Sequence, residues 1–164
     1  MSRAFVKEDS ASALMEEVVE RPISTYPNYM TRQGFEQLKQ HVDDLLRTRS
    51  RKGIQDTGMA GIERDLRYYQ ARLQSALVVD GKDPQTGRVH FGAKVTFVDS
   101  SGEEHVFRLV GEDEADVAKG RISWVSPLAR QLLGKQIGGQ VVWLRDDKPL
   151  SGEITAIVYP ESGD

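Results

Sequence analysis

Two amphipathic stripes at helical spacing, separated by a glycine-rich break, constrain the fold of this chain more than any other feature. The first stripe consists of four apolar residues: Phe35, Leu38, Val42 and Leu45. The second consists of five: Ile62, Leu66, Tyr69, Leu73 and Leu77. Heptad-type spacing of this kind predicts two coiled-coil helices, the first capped by Thr31 and ending near Arg49. The intervening RSRKGIQDTGMAG contains three glycines, each costing a helix interior about 1 kcal/mol, so it predicts the turn of an antiparallel hairpin.

Composition excludes several classes of protein. The chain has 164 residues, of which 38% are hydrophobic and 29% charged, which is typical of a soluble globular protein with a modest core. No apolar run approaches the roughly 18–20 residues that a membrane-spanning helix needs, and the N-terminus is too acidic for a secretory signal. The absence of cysteine excludes disulfides and cysteine-based sites. We therefore expect a cytoplasmic protein that does not associate with membranes.

Charge is unevenly distributed along the chain. Residues 31–79 carry nine basic and six acidic side chains, whereas the segments on both sides are acidic. A basic helical segment can be a solvated surface, or it can attract nucleic acid or an acidic protein. These interpretations remain open from the charge pattern alone.

Two segments precede the first stripe. Leu14, Val18 and Val19 have helical spacing, which predicts a short helix within residues 1–20. RPISTYPNY, residues 21–29, contains two prolines and several turn formers, and this composition is typical of an extended linker.

A second boundary lies at DGKDPQTG, residues 80–87, which is dense in glycine, proline and aspartate. Five strand-like segments follow it: AKVTFVD, HVFRLV, RISWV, GQVVWLR and EITAIVY. One helix interrupts them in SPLARQLLG, with Ser126 as N-cap and Pro127 in its first turn. The pattern predicts an α+β domain with a small antiparallel sheet and one helix. The chain therefore divides into an N-terminal extension, a hairpin and a C-terminal domain, at residues 1–28, 29–79 and 80–164.

No catalytic or metal-binding pattern is visible in the sequence. His41, His90 and His105 do not have the spacing of metal ligands, so no metal or cofactor is expected. Ser126 lacks the sequence context of a nucleophile. The acidic run GEDEAD, residues 111–116, lacks calcium-loop spacing and predicts either a solvated loop or a charged rim that docks a basic partner. These features favour a binding protein over an enzyme.

Two strings resemble a known family. FGAKVTFVDSSGEEHVFRLVGEDEADVAKGRISWVSPLARQLLGKQIGGQVVWL resembles the C-terminal domain of the GreA/GreB transcription elongation factors, and YMTRQGFEQLKQHVDDL resembles the opening of that family. The resemblance covers roughly residues 29–164. It implies a coiled-coil hairpin followed by a domain of the FK506-binding-protein type. It also implies a partner, bacterial RNA polymerase, with the C-terminal domain on the rim of the secondary channel and the hairpin inside it, so that contact with nucleic acid is only indirect.

The resemblance also implies which residues meet the polymerase. The family's docking patch surrounds the serine-proline turn, which corresponds here to Ser126, Pro127, Leu128 and Ala129. The acidic Glu112 and Asp113 belong to the charged rim predicted beside it. The position before the turn is acidic in some members and is Val125 here, so the resemblance does not carry over a polar part of the contact.

The hairpin tip departs from the family pattern. Cleavage-stimulating members carry an acidic pair that helps to hold Mg²⁺ at the polymerase active site, because Mg²⁺ prefers hard oxygen ligands. Here Asp56 stands alone, and Arg51 and Lys52 place positive charge beside it. Each arm is also about ten residues shorter than is usual in the family, or roughly 15 Å at the rise of an α-helix. We therefore expect a regulator of elongation that does not stimulate transcript cleavage.

Three other functions remain open. The first is ordinary cleavage stimulation, with Asp56 and Glu63 as the acidic pair. The second is peptidyl-prolyl isomerisation, which the fold type alone suggests; Trp124 and Trp143 lie in predicted strands and are expected to belong to the core. The third is nucleic-acid binding by the basic hairpin, which predicts steep salt dependence.

Overall fold

The structure is a computed structural model that describes residues 18–53 and 56–160. The short helix predicted near Leu14 falls largely outside the described residues, and residues 18–20 are not helical. Within the described ranges, no helix is both long and apolar enough to cross a lipid bilayer.

A pair of helices confirms the two amphipathic stripes. Helix α1 (Arg32–Arg51) begins at Thr31, whose side-chain oxygen accepts a hydrogen bond from the Gly34 amide at 3.0 Å, as an N-cap does. It extends two residues beyond the expected end. Helix α2 (Met59–Gln74) follows the break and begins after Gly58, which has a φ of 90°. We call α1, α2 and the connecting residues the hairpin.

The hairpin buries one apolar seam. Leu38 and Val42 of α1 are buried, as are Met59 and Leu66 of α2. Leu77, which the stripe places in the second helix, lies instead in a strand and is 51% exposed. The helical interpretation of Leu77 was therefore wrong, because α2 ends at Gln74 and the chain becomes extended.

Two three-residue strands close the base of the hairpin. Strand β1 (Tyr29–Thr31) precedes α1, and strand β2 (Leu77–Val79) follows α2. They pair in parallel, with Met30 opposite Val78. Sequence periodicity does not reveal strands this short, yet their pairing holds the start of α1 beside the end of α2.

The C-terminal domain, called the head here (residues 80–160), contains a five-stranded sheet and one short helix. In chain order its elements are β3 (Lys94–Asp99), β4 (Glu104–Val110), β5 (Arg121–Ser123), α3 (Pro127–Leu132), β6 (Gln140–Arg145) and β7 (Lys148–Val158). The order of strands in the sheet is β5-β4-β3-β7-β6. The core contains Val95, Phe97, Leu109, Ala129, Leu132, Val141 and Ile154. The mixed α+β architecture with a helix pair is as predicted.

One pairing in the sheet differs from the expected antiparallel arrangement. Strand β5 runs parallel to β4, with Leu109 opposite Ile122. The reason is the connection between them, which contains two short 3₁₀ helices, Glu112–Glu114 and Val117–Lys119, instead of a tight hairpin turn. This crossover brings the chain back by a few residues, so that β5 runs parallel to the last three residues of β4.

The first of these 3₁₀ helices joins the head to the hairpin. The Glu114 carboxylate accepts hydrogen bonds from the Thr31 amide at 2.9 Å and from the Gly111 amide at 3.0 Å, and the Thr31 hydroxyl also donates to it. The carboxylate passes directly over Gly34, where an added Cβ would lie 2.0 Å from Glu114 Cδ. The two strings that carry the family resemblance thus meet at one contact.

We expect Gly34→Ala to destabilise the protein by about 1–3 kcal/mol, since the methyl group must displace the Glu114 carboxylate. Gly61→Ala is the matched control, because no atom lies within 4 Å of a Cβ added there, and alanine should stabilise α2 by about 0.5–1 kcal/mol. Urea unfolding followed by circular dichroism measures both effects. Equal shifts in the two variants would contradict the contact at Gly34.

Candidate functional site

A buried ion pair lies at the junction of hairpin and head. Arg72 of α2 is 1% exposed, and its Nε donates to Asp113 Oδ2 at 2.6 Å. The guanidinium also lies 3.5 Å from a Glu112 carboxylate oxygen, without hydrogen-bond geometry. The Tyr68 hydroxyl donates to the other Asp113 oxygen at 2.6 Å. A buried charge requires such partners, so the carboxylates of the head stabilise the buried guanidinium of Arg72.

This arrangement shows that the prediction of a solvated loop for the acidic run, residues 111–116, was wrong. The carboxylates of Glu112, Asp113 and Glu114 are partly buried and contact the chain's own hairpin. The basic partner of Asp113 is Arg72, a residue that the sequence pattern did not identify as functional. A signal was present, because Arg72 lies between the stripe residues Tyr69 and Leu73 and so faces close to the apolar side of the helix.

Burial and the hydrogen bond to Asp113 both raise the pKa of Tyr68, to about 12. The neutral phenol is the donor in this contact, and burial disfavours its ionised form. Tyr68 therefore remains a hydrogen-bond donor throughout the neutral range.

The three histidines lie in separate environments. His41 packs edge-on against Tyr69 with ring centroids 4.8 Å apart, and His90 contacts the Thr86 hydroxyl at 2.8 Å. His105 Nε2 lies 2.9 Å from Asp99 Oδ2.

Asp99, Glu103 and His105 form one group with metal-ligand chemistry that spacing in the sequence did not suggest. Their ligand atoms lie within 4.8 Å of one another. Asp99 Oδ1, however, already accepts hydrogen bonds from the Ser101 amide at 2.9 Å and from the Glu103 amide at 3.0 Å. Asp99 Oδ2 already contacts His105. The hydrogen bond to His105, followed by that to Ser101, lowers the pKa of the Asp99 carboxyl. The group closes the β3–β4 turn.

The hairpin tip presents exposed cations. Arg49, Arg51 and Lys52 are exposed, and within residues 18–53 and 56–160 none of them forms an ion pair. Lys52 Nζ donates to the Thr57 carbonyl at 3.1 Å. Cations in the last turn of α1 also suit the negative end of the helix dipole.

The acidic residues near the tip are engaged with the chain itself. Asp56 Oδ2 accepts a hydrogen bond from the Gly53 amide at 2.7 Å, which closes the turn. Asp65 pairs with Arg64 at 2.9 Å and with Arg21 at 3.6 Å. Glu63 is exposed on α2. The described tip therefore offers no pair of free carboxylates at adjacent positions.

The serine-proline turn begins α3 on the head. Ser126 caps the helix by accepting a hydrogen bond from the Ala129 amide at 3.3 Å. Pro127 is exposed and Leu128 is partly buried, whereas Ala129 is 0% exposed and belongs to the core. Of the four predicted contact residues, Pro127 and Leu128 offer the most apolar side-chain surface.

The two tryptophans pack against different residues. Trp143 of β6 lies edge-on to Phe97 at 4.7 Å and packs on the head core, as predicted. Trp124 lies one residue beyond β5, not within a strand, and packs against Tyr29 at 5.2 Å and Tyr26 at 6.0 Å.

Comparison with known proteins gives a consistent result. Residues 84–159 match the family described as "Transcription elongation factor, GreA/GreB, C-term". The transcription elongation factor GreA of Thermodesulfovibrio yellowstonii is 34% identical over 151 residues, which is 79% of this chain and 96% of the relative. The GreB factor of Pasteurella multocida is 34% identical over 134 residues, or 70% of this chain and 85% of the relative.

Solved structures of similar proteins include two elongation-factor homologues. The GreA/GreB factor from Nitrosomonas europaea is 24% identical, with a TM-score of 0.43, covering 80% of this chain and 98% of that one. The GreA factor homolog Gfh1 of Thermus thermophilus is 20% identical, with a TM-score of 0.41, covering 81% of this chain and 99% of that one.

We expect Asp113→Asn to lower the pKa of Tyr68 from about 12 while leaving it above 10, because burial remains when the neighbouring negative charge is removed. A phenol pKa raised by folding stabilises the native state up to about pH 10, and this contribution is lost as the pH rises through 12. Phenolate absorbance measures the titration, and Tyr68→Phe identifies the step. An unchanged titration in Asp113→Asn would contradict the contact.

Proposed function

Because the chain belongs to the GreA/GreB family of transcription elongation factors, we propose that it binds bacterial RNA polymerase at the secondary channel and regulates elongation without supplying metal ligands. The protein is a cytoplasmic binding factor and not itself an enzyme. Its hairpin is a coiled coil, and its head is of the FK506-binding-protein type. The observation that carries the proposal is the state of the tip, where Asp56 accepts a hydrogen bond within the turn and the nearby residues Arg49, Arg51 and Lys52 are exposed cations.

The head provides the docking contact. Pro127 and Leu128 present a small apolar patch at the start of α3, and the buried Ala129 and Leu132 fix that helix to the core. A rigid patch of this kind loses little conformational entropy when it meets a partner. Glu112 and Asp113, although members of the predicted rim, contribute mainly by holding Arg72.

The tip determines what the factor does inside the channel. A second Mg²⁺ in a polymerase active centre needs hard oxygen ligands that are free and close together. Asp56 accepts a backbone hydrogen bond, and the exposed Arg49 and Arg51 raise the cost of bringing a divalent cation near. The factor therefore occupies the channel and excludes other factors from it, without stimulating hydrolysis of backtracked RNA.

Pro127→Asp should weaken binding to RNA polymerase core by at least about tenfold, because it places a solvated charge in the apolar patch. The substitution suits the first turn of a helix, where acidic residues are favoured, so the head should fold normally. Leu144→Asp is the matched control, since Leu144 is 72% exposed on the edge strand β6 and should leave affinity within about twofold. Equal loss in both variants would argue against this docking patch.

Addition of the protein to a backtracked elongation complex should not accelerate transcript cleavage, and the protein should compete with a cleavage-stimulating family member for the polymerase. Gel analysis of labelled RNA measures the first effect and displacement measures the second. Acceleration that Asp56→Ala abolishes would instead establish cleavage stimulation by Asp56 and Glu63. Binding to bare DNA that persists at moderate salt, with no binding to polymerase, would favour a nucleic-acid-binding hairpin.

A further inference from the structure

Residues 20–28 form an extended segment before β1 that contacts both the hairpin and the head. The segment lies outside the part of the chain that matches the family's C-terminal domain. It contains no helix or strand, and apart from the hydrogen bonds that the Pro27 and Asn28 carbonyls accept from the Tyr29 and Leu77 amides, side-chain contacts hold it in place. We call residues 20–28 the brace.

One end of the brace lies on α2. The Arg21 guanidinium stacks over the Tyr68 ring at 4.0 Å and lies 4.8 Å from the Tyr69 ring centroid. It also pairs with Asp65 at 3.6 Å. Next to it, Arg67 Nε donates to the Glu20 carboxylate at 3.2 Å. Aromatic faces and a carboxylate together surround the cation, an arrangement that suits the planar guanidinium better than an ammonium group.

The middle of the brace lies on the head. The Tyr26 ring packs edge-on against Trp124 at 6.0 Å. Its hydroxyl accepts a hydrogen bond from Arg130 of α3 at 2.6 Å, and the Arg130 guanidinium also lies over the ring at 5.4 Å. Tyr26 therefore joins the brace to the helix that carries the proposed docking patch.

The other end of the brace is anchored at the base of the hairpin. Asn28 is 5% exposed, and its amide nitrogen donates to the Arg72 carbonyl at 2.7 Å and to the Ser75 hydroxyl at 3.1 Å. These contacts fix Asn28 to the last turn of α2, directly before β1. The brace thus runs from the base of the hairpin past the head to the middle of α2.

We propose that the brace fixes the angle of the hairpin on the head, with Arg21 as its positioning residue. The consequence for activity rests on the function proposed above. A helix of 20 residues is a lever of about 30 Å, so a tilt of about 10° at its base displaces the tip by about 5 Å. The Arg21 contacts extend the support of α2 from Tyr68, which also contacts the head, to Asp65 nearer the middle of the helix.

Exposed ion pairs are individually weak, so no single contact of the brace is expected to dominate global stability. Together, the brace contacts can still set the orientation of the hairpin, because some lie on the hairpin, others lie on the head, and one continuous segment joins them. Removing Arg21 weakens the hold of the brace on α2, and removing Tyr26 weakens its hold on α3. Either change should widen the range of hairpin angles that the Glu114 and Arg72 contacts allow, while both halves remain folded.

Spin-label distance measurements test the brace directly. The chain has no cysteine, so Ser50→Cys near the tip and Ser100→Cys in the β3–β4 turn give a unique pair of exposed labels. We expect a narrow distance distribution in the otherwise native protein. Arg21→Ala and Tyr26→Ala should each broaden or shift it by about 5 Å, with helix content unchanged.

Lys39→Ala is the matched control. Lys39 also pairs with a carboxylate, Glu36 at 3.7 Å, and lies 5.7 Å from an aromatic ring, that of Phe35. All three residues belong to α1, so the contact does not link the hairpin to the head, and the distance distribution should stay narrow. A distribution in Arg21→Ala that superimposes on that of Lys39→Ala would overturn the brace.

A polymerase assay separates the brace from the function it serves. Arg21→Ala should weaken both binding to polymerase core and competition with a cleavage factor by the same factor, at least about fivefold, because a misdirected hairpin enters the channel less readily although the docking patch is intact. Unchanged competition would overturn the positioning role of Arg21. Failure of the native protein to bind polymerase would overturn the proposed function and leave the distance measurement unaffected.

Discussion

The rest of the structure depends on one interaction, the hydrogen bonding of the Glu114 carboxylate at the start of α1. It accepts hydrogen bonds from both Thr31 and the Gly111 amide, so one side chain holds the first turn of the hairpin and the crossover of the head. A carboxylate at this position also faces the positive end of the helix dipole. Arg72, buried against Asp113, adds a second contact between the same two bodies. These contacts explain why an acidic run with the composition of a solvated loop is partly buried.

These contacts fix the base of the hairpin against the head. The hairpin tip combines exposed arginines with an aspartate already engaged by the turn. Such a tip suits occupation of a cavity more than chemistry within it. The brace adds a third connection between hairpin and head, through Arg21 on one side and Tyr26 on the other. The brace thus supports the hairpin that carries this tip.

Local features were predictable from sequence, and long-range contacts were not. The two stripes, the Thr31 cap and the Ser126 cap follow from spacing and residue type within a few positions. The parallel pairing of β5, the β1–β2 base and the partners of Asp113 join residues far apart in the chain, and no periodicity encodes them. The role of Gly34 became clear only from the approach of Glu114. Residues 21–28 have the composition of a linker because side chains make most of their contacts, whereas Tyr29 already belongs to β1.

Amide hydrogen exchange at Thr31 and Gly111 tests the central contact most directly. Both amides donate to the Glu114 carboxylate, so we expect them to exchange as slowly as the core amide of Leu109, and we expect Glu114→Ala to speed exchange of both while Leu109 stays protected. Rapid exchange of the Thr31 amide in the native protein, with Leu109 protected, would contradict the junction described here.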